Sequence, residues 1–343
     1  MSSRRRLARA AAACAAALLA APAFAQAVSP AAARPIFVLN SQDATISVVD
    51  PLRFVETKRI PTGKEPHHLY LTPDEKSLVV ANAAGNSLTF VDPATAEVQR
   101  TLGDVADPYH LRFSPDMKWF VTASNRLDRL DLYRWNGLGT AAAPVAQPLT
   151  LVARLPAPKT PSHLSIDGRS RTLYASLQDS NELLAVDLAT QKPRWKIAVG
   201  KMPADLYLAP DDRTLLVAMT GDDVVEAYDV SGEQPKLLKK IRTGAGAHAF
   251  RSRGDGRHVF VSNRVANTVS LIDLQTLEAV ERYAVPGGPD CMDLTADGKT
   301  LLATSRWARR LSVVDLEKKQ VVQSVPVGRS PHGVWTLDHA SRR

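Results

Sequence analysis

A short phrase of alternating apolar and polar residues, closed by an aspartate, recurs along almost the whole chain. It reads ATISVVD at 44–50, NSLTFVD at 86–92, ELLAVD at 182–187, DVVEAYD at 223–229, NTVSLID at 267–273 and RLSVVD at 310–315. A period of two predicts strands with one buried face. The closing residues Asp50, Asp92, Asp187, Asp229, Asp273 and Asp315 lie 42, 95, 42, 44 and 42 residues apart. The long interval holds one more copy, RLDLYRW at 129–135, with Arg134 in the aspartate's place. A loop rich in Ala and Pro near 136–148 takes up the extra length.

Every unit also carries a turn followed by a β-branched run, as in TPDEKSLVVAN (72–82), SPDMKWFVTAS (114–124), APDDRTLLVAM (209–219), GDGRHVFVSN (254–263) and ADGKTLLATS (296–305). Asp and Gly set the hairpin, and the alternation beyond it predicts a half-buried strand. About 42 residues with four short strands and no helical period make one propeller blade. Seven phrases therefore predict an all-β, seven-bladed propeller of four-stranded blades, spanning 36–338 as a single domain. The chain begins with a second strand, Ile36 to Asn40, and ends with an orphan first strand, HGVWTLD at 332–338. Joining them completes one blade from both termini and closes the ring without an open sheet edge. Residues 339–343 are left as a tail.

With LVVAN, VFVSN, NTVSLID and the SPD and ADG turns, the sequence resembles the YVTN-repeat β-propeller family, including secreted bacterial proteins of the YncE type. The resemblance covers essentially all of the chain after residue 35. It implies the propeller fold but no particular chemistry, because one fold hosts many functions.

The first residues change the reading of charge. Arg4, Arg5, Arg6 and Arg9, the apolar run Ala10 to Ala21 and the small-x-small site Ala23-Phe24-Ala25 predict a secretory signal peptide over 1–25, then a short linker at 26–35. Ser3-Arg4-Arg5-Arg6-Leu7 resembles a twin-arginine signal, with the general route as the alternative. Cys14, with little chain before it, argues against a lipoprotein anchor. Cleavage removes four arginines and no acid, lowering the formal charge from +8 to +4. The mature chain keeps only Cys291, so it can form no internal disulfide, and no other stretch nears the roughly 18 apolar residues of a membrane span. A periplasmic or secreted monomer is expected.

Aligning the seven first strands places His68, His110, His163, Asp205, His248, Cys291 and Gly333 at one position. Just before it stand His67, Tyr109, Ser162, Ala204, Ala247, Asp290 and His332. Six of the eight histidines share this two-residue window, so the clustering belongs to the repeat. One residue on, Leu69, Leu111, Leu164, Leu206, Ala249, Met292 and Val334 should pack between blades. Two residues on, Tyr70, Arg112, Ser165, Tyr207, Phe250, Asp293 and Trp335 should line the central channel, with the histidines at its mouth. Arg126, Arg264, Arg306, Arg309, Arg310 and Trp307 fall in loops on the same face, where basic charge would favour a small anionic ligand.

Three classes of function follow. The first is a binding or scaffold protein presenting the His/Arg-rich mouth to a ligand or periplasmic partner. Its candidate residues are His67, His68, Tyr70, Tyr109, His110, Arg112, His163, Asp205, Tyr207, His248, Asp290, Asp293, His332 and Trp335. Single-stranded nucleic acid belongs here only through Trp307 between Arg306 and Arg309. The second is a metal-binding or redox-accessory propeller, with copper or zinc on His68, His110, His163 and His248. The third is an enzyme of lactonase, lyase or oxidoreductase type, with Asp205, Asp290 or Asp293 as acid or base. The sequence has no catalytic triad pattern, and without Cys-x-x-Cys-His covalent haem c is excluded. The balance of these readings leans away from catalysis.

Overall fold

Each repeated phrase is a strand in the computed structural model, which describes residues 34–140 and 142–342. The signal peptide expected over 1–25, and most of the linker after it, lie outside the described residues. Seven antiparallel sheets of four strands are found among the described residues, and the only helical element is a 3₁₀ turn at Asn125–Leu127. The innermost strands are Pro66–Leu71, His110–Phe113, Pro161–Ile166, Pro203–Leu208, Ala247–Ser252, Pro289–Leu294 and Pro331–Thr336. The last of these pairs with Ile36–Asn40, setting Phe37 opposite Trp335 and Val38 opposite Val334, so the two ends of the chain close one blade together.

No single core holds the disc together. The buried apolar side chains fall into seven clusters, one at each seam between adjacent blades. Strand alternation produces this directly: Leu39 faces the cluster shared with the next blade, while Ile36 and Val38 face that of the previous one. The position that follows the histidines, Leu69 through Val334, is buried throughout. It docks each inner strand against its neighbour and leaves the flanking positions to face the axis.

The closing aspartate of the repeat caps a turn. Oδ1 of Asp50 accepts from the backbone N–H of Leu52 and Arg53, and Asp92, Asp273 and Asp315 repeat the pattern with the residues two and three on. These are Asx turns that start the outer hairpin. Arg134, the exception, stacks its guanidinium 3.6 Å above the Trp119 ring instead.

The asparagine of LVVAN and VFVSN is a clamp. Buried Asn40, Asn82 and Asn263 each donate Nδ2 to two hydroxyls of the next strand, Thr45 and Ser47, Ser87 and Thr89, and Thr268 and Ser270. A glycine lies flat against each clamp. A Cβ on Gly328 would sit 2.5 Å from Asn40 Cγ, and one on Gly63 would sit 2.6 Å from Asn82 Cγ.

The segment after the last strand folds back. His339 bridges to Thr295, and Arg251 donates to the carbonyls of Ala340 and Ser341. This brings Arg342 to the channel.

Gly328→Ala should cost about 1–3 kcal/mol through overpacking, read from urea unfolding. In an Asn40→Ala background the same change should cost markedly less. Equal costs in both backgrounds would show that the clamp does not require the glycine.

Candidate functional site

The inner strands carry their histidines into the middle of the disc, where water is excluded. His67, His68, His110, His163, His248 and His332 are 0–7% exposed. They are therefore not arranged around an open mouth as the strand register alone suggested: the rings meet across the axis and fill it. His67 stacks on His332 with centroids 3.6 Å apart, and His68 lies 4.4 Å from His110, 5.0 Å from His163 and 4.7 Å from His332. Tyr109 covers His67 at 4.0 Å.

Burial keeps these imidazoles neutral. It holds His67, His68, His163 and His248 well below the ordinary histidine value and lowers His110 and His332 to about 3. Their hydrogen bonds set some tautomers. His332 Nδ1 donates to the His67 carbonyl at 2.8 Å. His248 Nε2 accepts from Arg264 Nη2 at 2.6 Å, so its proton is on Nδ1, facing Thr220 Oγ1. His163 Nδ1 is paired with Ser162 Oγ at 2.8 Å. Among the described residues, other buried nitrogens have no hydrogen-bond partner: His67 Nδ1, His68 Nε2, His110 Nδ1, His163 Nε2 and His332 Nε2.

Charge is concentrated at the two ends of one inner strand, Pro289–Leu294. Asp290, fully buried, receives Arg264 Nη2 at 2.6 Å and Arg306 Nη1 at 3.1 Å, while the unprotonated His248 Nε2 lies 3.3 Å away and donates nothing to it. Burial opposes its ionisation, but the guanidinium groups of Arg264 and Arg306 outweigh that and hold it well below the usual carboxylate range. At the other end Asp293 receives Arg251 Nε at 2.8 Å and Arg342 Nη2 at 2.6 Å, plus the backbone N–H of Leu294 and Thr336. Both carboxylates are held in ion pairs, although Asp290 Oδ1 accepts no hydrogen bond among the described residues. Asp205, in the histidine position of its blade, accepts only from the N–H of Leu206 and Phe250, and burial raises it to about 6.

Much of the basic rim expected to favour an anionic ligand is already paired. Arg264 and Arg306 serve Asp290, while Arg126 pairs with Asp107 and Glu65. Trp307 stays exposed.

Tyr70, Arg112, Asp205 and Trp335 line a chamber on the axis beside His68, His110 and His163, together with Phe250, Cys291 and Arg342. Tyr207 faces the wider depression outside it, and Asp293 is sealed in its ion pairs. His248 does not join the other three metal candidates. The ligand atoms of His68, His110 and His163 lie within 4.8 Å of one another, as do those of His67, His68 and His332, whereas His248 groups with Asp290 and His332. Arg251 carried a signal that the sequence reading missed, since it stands where other inner strands have Leu71, Phe113, Ile166, Leu208 and Leu294, whereas Arg342 lies beyond the last repeat.

These features define a seven-bladed β-propeller with a desolvated histidine core and a charged chamber on its axis. The chain belongs to the YNCE-like β-propeller family, whose profile matches residues 5–342. Among solved structures, the Pseudomonas aeruginosa periplasmic gluconolactonase PpgL is 19% identical, covering 90% of this chain and 99% of its own, with a TM-score of 0.73. The dihydro-heme d1 dehydrogenase NirN, solved in complex with DHE, is 20% identical over 93% of this chain and 77% of its own, at 0.65. Kuenenia stuttgartiensis hydrazine synthase is 19% identical over 78% and 88%, at 0.64. Likeness at these identities is likeness of fold. Comparison with curated protein sequences gave no significant match.

The histidine core makes a pH prediction for the metal-free protein. Unfolded histidines take up protons from about pH 6.5 downward, whereas in the folded core His110 and His332 resist until about 3. Stability is therefore present above pH 6.5 and is lost as pH falls through that window. Urea unfolding at stepped pH should show this loss beginning above the range where carboxylates titrate, and His110→Gln should make it shallower.

Proposed function

We propose that this protein is an exported metal-binding propeller, holding a copper or zinc ion on the imidazoles of His68, His110 and His163. One observation carries the reading: these three buried, neutral side chains converge within 4.8 Å, and each keeps a nitrogen without a hydrogen-bond partner. Unpaired polar atoms in a dry core are costly, and a borderline metal ion would satisfy all three at once.

The donor set fits the group. Neutral imidazole is the form that binds copper and zinc, and low basicity keeps these rings ready without proton release. The bond between His163 Nδ1 and Ser162 Oγ orients its ring so that Nε2 is the free atom. A bound ion could supply a Lewis-acid or redox centre to a partner. His248 is outside this set, since its Nε2 is already committed to Arg264.

An enzyme is the second reading, favoured by Asp205 alone, whose carboxyl near 6 lies on the chamber beside Arg112. Such a group could take a proton from a small substrate at neutral pH. Binding of a partner at the rim rests on exposed Trp307 beside Arg309.

Metal analysis of the purified protein, after incubation with copper or zinc and desalting, should find about one equivalent retained per chain. A His110→Ala, His163→Ala double variant should retain none, and the wild-type melting temperature should rise with metal where the variant's does not. A wild-type protein that stays metal-free with neither ion stabilising it would overturn the proposal.

A further inference from the structure

The chamber beside the histidine core has an imbalance of charge that no group in the described structure corrects. Its volume is about 70 Å³, against the roughly 10–15 Å³ needed for one water. It is lined by Phe250, Trp335, Asp205 and the three imidazoles, and Tyr70, Arg112 and Arg342 line both it and the open depression of about 430 Å³ beyond. Around this end of the channel are three guanidinium groups, Arg112, Arg251 and Arg342, and two carboxylates, Asp205 and Asp293. Asp293 is shared by Arg251 and Arg342. Asp212, on the outer depression, is held by the backbone N–H of Gly168.

Arg112 is the group left over. Its Nε donates to the Leu164 carbonyl at 2.9 Å, and its guanidinium lies 4.5 Å above the Tyr70 ring. Among the described residues no carboxylate comes within ion-pair distance of it. The Asp205 carboxylate acts on it only across the chamber, without a direct ion pair. Two further donors on the chamber wall, Trp335 Nε1 and Arg342 Nε, are buried and unpaired. A cavity supplied with unpaired donors and surplus positive charge lacks an anion.

We propose that the chamber binds a small monocarboxylate, its oxygens on the free guanidinium nitrogens of Arg112 and on Trp335 Nε1, and its apolar part against Phe250 and the Tyr70 ring. Arg342 closes the site from the depression side. It is anchored by Asp293, by stacking 3.6 Å above Trp335 and through the tail carbonyls that Arg251 holds. The tail is thus part of the site. His68, His110 and His163 line the same chamber, so a metal ion on them would be a neighbour of the carboxylate, but its proposed contacts are with other side chains and neither proposal requires the other.

Calorimetric titration of the full-length mature protein with acetate, against chloride and sulfate at matched ionic strength, tests the assignment. It should be run both chelator-treated and metal-loaded. Acetate should bind saturably and raise the melting temperature where chloride does not. Arg112→Met should weaken acetate roughly ten- to hundred-fold while leaving the acetate-free protein folded. Should that variant fail to fold, Arg112→Lys carries the test, with weaker acetate binding expected from the lost fork. Arg342→Gln should speed both association and dissociation. Sulfate binding in place of acetate would overturn the carboxylate assignment. Absence of saturable binding, or unaltered binding in both Arg112 variants, would overturn the site.

Discussion

Everything at the centre of this protein follows from the closing of its ring. When Pro331–Thr336 pairs with Ile36–Asn40, seven inner strands are forced onto one axis. Side chains that a flat sheet would show to water are then pressed against each other. The energetic terms on the axis are those of desolvation, where an unpaired polar atom is expensive and a charge must find its opposite. Apolar packing at the seven seams sustains this arrangement, because each seam buries its own cluster and none depends on filling the channel.

The two ends of the channel meet that requirement differently. On one side Asp290 is balanced by Arg264 and Arg306, and the imidazoles beside it remain neutral. Their unpaired nitrogens then become the conspicuous debt of the core, one that a metal ion would settle. On the other side Asp293 is balanced by Arg251 and Arg342, and Arg112 is left with surplus charge. The proposed cation site and the proposed anion site thus share one chamber, which Asp205 also lines. Both are consequences of placing polar side chains at positions the ring closure dries.

The repeat made most of the fold legible. The closing aspartate is an Asx turn and the asparagine of LVVAN is a hydroxyl clamp, so both motifs report local bonding between residues a few positions apart. Period two likewise indicated which side chains face the axis, and Leu69 and its equivalents are buried between blades as that register requires. The same register placed the histidines at an open mouth. They are buried because the distance between opposite strands is set by blade number and tilt, and neither is a property of a single strand. His248 was grouped with the other three by alignment alone, yet its position around the axis delivers it to Arg264.

What the sequence determined by itself, then, was everything carried by short-range periodicity: strands, turns, blade count, the seam that joins the termini and the ring of axial positions. Only the tertiary structure decided which of those axial residues touch. His67 and His332 are stacked although 265 residues separate them, Asp293 meets Arg342 across 49, and Arg251 reaches Ala340 across 89. Such contacts join separate repeats, and no pattern along the chain encodes the angle at which two blades present their side chains. The chemistry of this protein resides in those contacts, because charge and proton affinity depend on what stands within a few ångströms, whatever its place in the chain.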